Sequence, residues 1–296
     1  MSARAKALTG VGLYVLITIA FVVIFGAGER NDAFQPQNEF KLDELFSIGG
    51  LAINKAHLYI LAAGVFMVAT MLYVARRMQQ KPNKVQTAVE AAYTLMRDNI
   101  TRGNMDDAMA AKWFPFVASL FLFIWFSNML GYIPLPTNVE HKVDVFGLEI
   151  PAFALYAATA NLSVPLVLAL VVFIAYTTVG IVKKGPIGYL KSFVPAGVPK
   201  GPMTVFIFIL ELASNFMRLL SLSVRLFANI LAGHLIILFM GGALAVILGI
   251  AAVGWVTFPL AVVLFMFEVG LVATLQAFIF ATLTAIYLGG AASESH

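Results

Sequence analysis

The chain has 296 residues, of which 61% are hydrophobic and only 11% charged, and its mean hydropathy is +0.91. Water-soluble domains run at roughly 45–50% apolar and 25% charged, so this composition excludes a soluble globular protein. Cysteine is absent, which removes disulfide, thiol-nucleophile and cysteine-ligated metal chemistry. The formal net charge is +4, but the basic residues lie in short clusters beside apolar runs, as membrane topology requires, and form no nucleic-acid patch.

Arg4 and Lys6 precede an apolar run from about Val11 to Phe25, and the polar stretch Glu29-Arg30-Asn31-Asp32 follows. Residues 1–30 therefore fit either a cleaved signal peptide or a retained signal-anchor helix. Residues 31–54 are then an exported polar segment, and 55–290 a multi-pass membrane domain. A second apolar span, His57 to Val74, ends at Arg76-Arg77. Between Lys81 and Arg102 the pattern VQTAVEAAYTLM repeats apolar residues at steps of three and four, the signature of an amphipathic surface helix. A third span runs from about Trp113 to Ile133 and stops at Pro134 and Pro136. Glu140, Asp144 and Glu149 mark the next loop as acidic. A fourth span, about Ala154 to Val182, ends at Lys183-Lys184-Gly185-Pro186.

The segments from Met203 to about Phe239 and from about Ala243 to Leu288 are too long for a perpendicular crossing. As helices they span roughly 55–70 Å against a hydrocarbon core of about 30 Å. They must be tilted, kinked or broken. The fold expected is thus all-α and integral to the membrane, with about six hydrophobic segments. The last two form a long tilted hairpin over about 203–290, turning near Gly241-Gly242. With the amino terminus inside, 13 of the 19 basic residues fall on the inner side and four on the outer, while Arg218 and Arg225 lie within a span. That asymmetry satisfies the positive-inside rule, and six crossings bring both termini to the cytoplasmic side if the first segment is retained.

Four charged residues interrupt the apolar spans: Glu211, Arg218, Arg225 and Glu268. Asn215, Asn229, His234 and Gln276 join them in the last two segments. A charge at the bilayer centre costs roughly 2.5–3.5 kcal/mol on insertion scales, so such residues are functional candidates by default. Glu211, Arg218 and Arg225 are seven apart and drift only about 20° per step, with Asn215 and Asn229 within about 40°, giving one polar face. His234 lies about half a turn round from Arg225 and roughly 13 Å further along. Structural alternatives exist for each. Arg225 and Glu268 could be a buried ion pair fixing the hairpin, Arg218 could snorkel, and Glu211 could line the water boundary. Asn215, like Asn128 and Asn161, could hydrogen-bond between helices. His234 could be a hydrogen-bonded structural histidine.

The stretch SLSVRLFANILAGH, residues 221–234, closely resembles the arginine helix of subunit a of F-type ATP synthases. LQAFIFATLTAIYL, 275–288, resembles the last helix of that family, and FPFVASLFLFIWFSNMLGYIP, 114–134, and the Leu210-Glu211 pair also fit. The resemblance covers about residues 52–290. It implies that Arg225 is the essential arginine, Asn229 the amide one turn later, and Gln276 the glutamine of the last helix. His234 and Glu268 then resemble a histidine and carboxylate pair, with Glu211, Asn215, Arg218 and Ser221 as candidate lining of a half-channel. Ala228 replaces the usual glycine before Asn229, Arg218-Leu219 stands where a lysine-proline pair is common, and many members lack an apolar segment before residue 30. Glu268 also precedes Gln276 by eight residues where the family pattern has seven.

What the resemblance implies is a non-catalytic, proton-translocating stator subunit in a bacterial plasma membrane, with no cofactor and no metal. Its implied partners are the c-subunit ring, b-type peripheral stalk subunits, the remainder of the ATP synthase complex and lipid, not nucleic acid. The rival functions are a secondary transporter with a buried arginine anion site and a structural scaffold. In a regular helix the eight-residue step sets Glu268 and Gln276 about 80° apart. The sequence therefore predicts a wide turn between Val269 and Thr274, at or near Gly270, turning Glu268 toward His234 and leaving Gln276 near Arg225.

Overall fold

The computed structural model describes residues 9–10, 12–17, 19–20, 44–48, 51–145, 148–194 and 201–293. The expected leader or anchor at 1–30 lies mostly outside them, and those of its residues that are described are helical. Five helical segments among the described residues are long and apolar enough to cross a membrane. The all-α membrane architecture expected from the sequence is the one observed.

Two antiparallel hairpins are added to it. β1 (Glu44–Ile48) pairs with β2 (Leu51–Asn54), and β3 (Leu135–Val145) pairs with β4 (Leu148–Ala154). The second runs in the register Val143↔Ile150, Asp144↔Glu149, Val145↔Leu148. The alternation of Val139, Val143 and Val145 with Glu140, Lys142 and Asp144 is a period-two strand pattern. It shortens the fourth span, whose helix starts at Ser163 and not near Ala154 as expected.

Helix α1 (Lys55–Arg76) leaves β2 through a reciprocal cap: Asn54 Oδ1 accepts from the His57 backbone N–H, and His57 Nδ1 accepts from the Asn54 N–H. His57, given no role from sequence, thus closes a helix end. The surface helix α2 (Lys84–Thr94), capped by Asn83, widens into a π turn at Leu95–Thr101. α3 (Asp107–Gly131) and α4 (Ser163–Lys184) follow. Gly185, at φ 72°, turns the chain into the short α5 (Pro186–Lys191).

The long α6 (Pro202–Leu238) runs into a π turn at Phe239–Ala243, where Gly242 leaves the helical conformation. The chain continues through α7 (Leu244–Leu248) and reverses at Gly249, whose φ is 68°. The reversal therefore falls seven residues beyond Gly242. The Gly241-Gly242 pair only kinks the segment, because it leaves Leu244–Leu248 free to resume helix before the left-handed glycine closes the turn. α8 (Ala251–Phe267), a π turn at Glu268–Val272 and α9 (Ala273–Ala292) complete the chain.

Lipid gives no hydrophobic drive for helices to associate, so close packing holds the bundle. Ala273, Ala277, Ala281 and Ala285 recur every fourth residue on α9 and are all fully buried. α9 packs chiefly on α3 and α4, while α6 packs on α4 and α8. α4 contacts both long segments, and α6 and α9 also meet directly, with Arg218 lying 5.7 Å over the Tyr287 ring.

Candidate functional site

Helix α6 distributes its polar residues over two surroundings. Toward the basic end Glu211, Asn215 and Arg218 line a cavity of about 480 Å³ together with Tyr176, Lys184 and Tyr287. Arg218 pairs with Glu211 at 3.4 Å and lies 5.7 Å over the Tyr287 ring. Buried Asn215 accepts the Tyr176 hydroxyl at 2.7 Å. Arg218 is thus paired in a polar cavity and does not simply snorkel, and Asn215 does form an interhelical hydrogen bond.

Further along the same helix Ser221, Arg225 and Asn229 are exposed on the outside of the bundle. Among the described residues Arg225 makes no ion pair, so the Arg225–Glu268 pair weighed from sequence does not form. Gln276 is buried on α9 and makes no hydrogen bond to Arg225 among the described residues.

His234 lies on the buried side of α6, away from Arg225. Its Nδ1 is 3.0 Å from the Ile230 carbonyl and its Nε2 3.2 Å from the Gly131 carbonyl. The Gly131 oxygen belongs to the last turn of α3, where carbonyls lack intrahelical partners. A neutral imidazole has one N–H and satisfies one of these acceptors, whereas the imidazolium satisfies both. The His234 ring stacks on Tyr132, with centroids 4.8 Å apart and planes 26° from parallel. The Tyr132 hydroxyl donates to Glu268 Oε2 at 3.1 Å.

The wide turn predicted from the eight-residue spacing is present at Glu268–Val272, with Gly270 at its centre. It directs the Glu268 carboxyl onto Gly233, where any added Cβ would collide with it. His234 and Glu268 therefore share one neighbourhood, joined through Tyr132. Helix α3 braces the exit of the turn: Asn128 Nδ2 donates to the Ala273 carbonyl at 3.3 Å, and Trp125 Nε1 to Thr274 Oγ1 at 3.1 Å. Thr159 in turn donates to Asn128 Oδ1 at 2.7 Å. The sequence reading missed Trp125 and Tyr132, although their steps of three and four from Asn128 put all three on one helical face.

The family model described as ATP synthase A chain matches residues 57–289. The chain belongs to that family. ATP synthase subunit a of Parvibaculum lavamentivorans is 34% identical over 284 residues, covering 92% of this chain and 99% of that protein. The Pelagibacter ubique protein of the same name is 34% identical over 272 residues, 89% of this chain and all of its own length. That of Rubrobacter xylanophilus is 35% identical over 250 residues, 83% and 87% of the two chains. Family membership gives this multi-pass membrane protein its setting, the membrane sector of an F-type ATP synthase.

Proposed function

We propose that this subunit is the proton-conducting stator, which carries out no bond chemistry and supplies two half-channels to a rotating ring of c subunits. The observation that carries the proposal is the position of Arg225. Its guanidinium is permanently charged, exposed on a membrane span and without an ion-pair partner among the described residues. An isolated charge facing hydrocarbon is costly, so a partner carboxylate has to come from a neighbouring membrane subunit. A carboxylate on each ring subunit meets that need.

Arg225 lies about 21 Å along α6 from Glu211 and about 13 Å from His234. It thus stands between the basic-end cavity and the His234–Tyr132–Glu268 group. A ring carboxylate passing Arg225 is favoured in its ionised form, and the same positive charge repels a free proton. Protons entering through one half-channel must ride the ring to reach the other. Glu211, Asn215, Arg218 and Ser221 serve the inner path, and His234 and Glu268 the outer. Asn229 and Gln276 flank the arginine's working surface. The b-type stalk holds the subunit against the torque, and the complex resides in a bacterial plasma membrane. Membership in the ATP synthase A chain family favours this reading over a secondary transporter or a scaffold.

The test is Arg225→Ala in inverted vesicles carrying the intact complex. ATP-driven proton pumping is abolished while the complex stays assembled; normal coupled pumping by that variant removes the proposal. Arg225→Lys also fails, because an ammonium lacks the planar fork and loses its proton more readily.

A further inference from the structure

We propose that Tyr132 is a positioning residue of the outer proton path, one that ties His234 and Glu268 into a single unit; this rests on the proton-path reading above. Tyr132 closes the C-terminus of α3 and is only 5% exposed. Its two functional parts are both engaged. The ring lies flat on the His234 imidazole, and the hydroxyl donates to Glu268 Oε2.

The ring has no room to swing away. Phe265 packs edge-on against it at 5.6 Å and 89°, and α3 itself is tied to the start of α9 through Asn128 and Trp125. Glu268 is equally confined, in contact with both the Gly233 backbone and the phenol. Glu268 as a whole is only partly buried, so the segment that carries it borders the outside of the bundle. The rest of the surrounding cluster is apolar, made by Met129, Leu155, Ile237, Leu264, Phe265 and Val269. Among the described residues the titratable groups in contact with Tyr132 are His234 from α6 and Glu268 from the π turn. In a low-dielectric shell a single O–H donor weighs heavily on the carboxylate.

A leucine or phenylalanine could fill the same volume, but neither would set the carboxyl orientation. Tyr132 thus supplies what the eight-residue spacing alone does not. The wide turn brings Glu268 to α6, and the phenol fixes which of its oxygens accepts the hydrogen bond.

The experiment compares Tyr132→Phe, Glu268→Gln and the double variant in inverted vesicles with the whole complex, reading assembly, initial ATP-driven pumping rate and the pH profile of pumping. Tyr132→Phe keeps the ring stack and assembles normally. It shifts the proton concentration for half-maximal pumping by about tenfold, the scale of losing one hydrogen bond to a charged group. In the Glu268→Gln background the same substitution adds nothing further. Tyr132→Phe with a wild-type rate and profile overturns the assignment, as does an equal loss in both backgrounds. Where Glu268→Gln leaves no measurable pumping, the Tyr132→Phe profile decides alone: a lower rate with an unmoved profile also overturns it. Arg225→Ala run alongside separates the two levels. Coupled pumping in that variant refutes the proton-path reading itself, whereas its loss beside an unaffected Tyr132→Phe refutes only the role of Tyr132.

Discussion

Gly233→Ala tests the contact that positions Glu268, because the three atoms nearest the added methyl all belong to that carboxyl. Restoring van der Waals separation requires the carboxyl to retreat by about 1 Å. The Tyr132–Glu268 hydrogen bond is 3.1 Å long, so a retreat of that size carries it beyond useful range. A hydrogen bond to a charged group contributes about 1.5–3 kcal/mol, which is one to two powers of ten if the proton path depends on it. The helix itself opposes this loss, since alanine is better than glycine in a helix interior by about 1 kcal/mol. Gly233→Ala should therefore assemble at normal levels while pumping falls about ten- to a hundredfold. The assay pairs native gel electrophoresis of the complex with the initial rate of ATP-driven acidification in inverted vesicles. Full pumping by the assembled variant would refute the reasoning, because it would show that Glu268 can leave its seat without consequence.

Asn128→Leu leaves the Thr159 hydroxyl and the Ala273 carbonyl without their partner. A destabilisation of about 1–2 kcal/mol is expected for such a pair inside a membrane bundle, read as a lower melting temperature of the purified complex. Glu211→Gln removes one side of an ion pair whose members are 43% and 42% exposed. Stability should hardly change, because exposed pairs contribute about 0–1 kcal/mol, while passive proton conduction through the membrane sector slows. Pumping should proceed without added sodium and collapse with a protonophore, since an imidazole-carboxylate pair suits proton transfer; a sodium requirement would count against it.

Composition and charge spacing alone make this a membrane protein and place its intramembrane charges in the last two segments. Nineteen basic residues distributed unequally favour one orientation under the positive-inside rule, and Arg225 stands out because a charge in hydrocarbon needs a reason. The extra residue between Glu268 and Gln276 even signalled the π turn, since helical periodicity is a one-dimensional property that can be counted along the chain. What could not be counted is which helix faces which. The heptad stripe from Glu211 to Arg225 looks like one surface, yet α4 and α9 cover its first half and leave Arg225 bare. Tyr132 carries no charge and lies 102 residues before His234 and 136 before Glu268, so its shared face with Asn128 does not show what it meets. Its role depends on the end of α3 meeting both the last turns of α6 and the turn before α9, and only packing in three dimensions decides that.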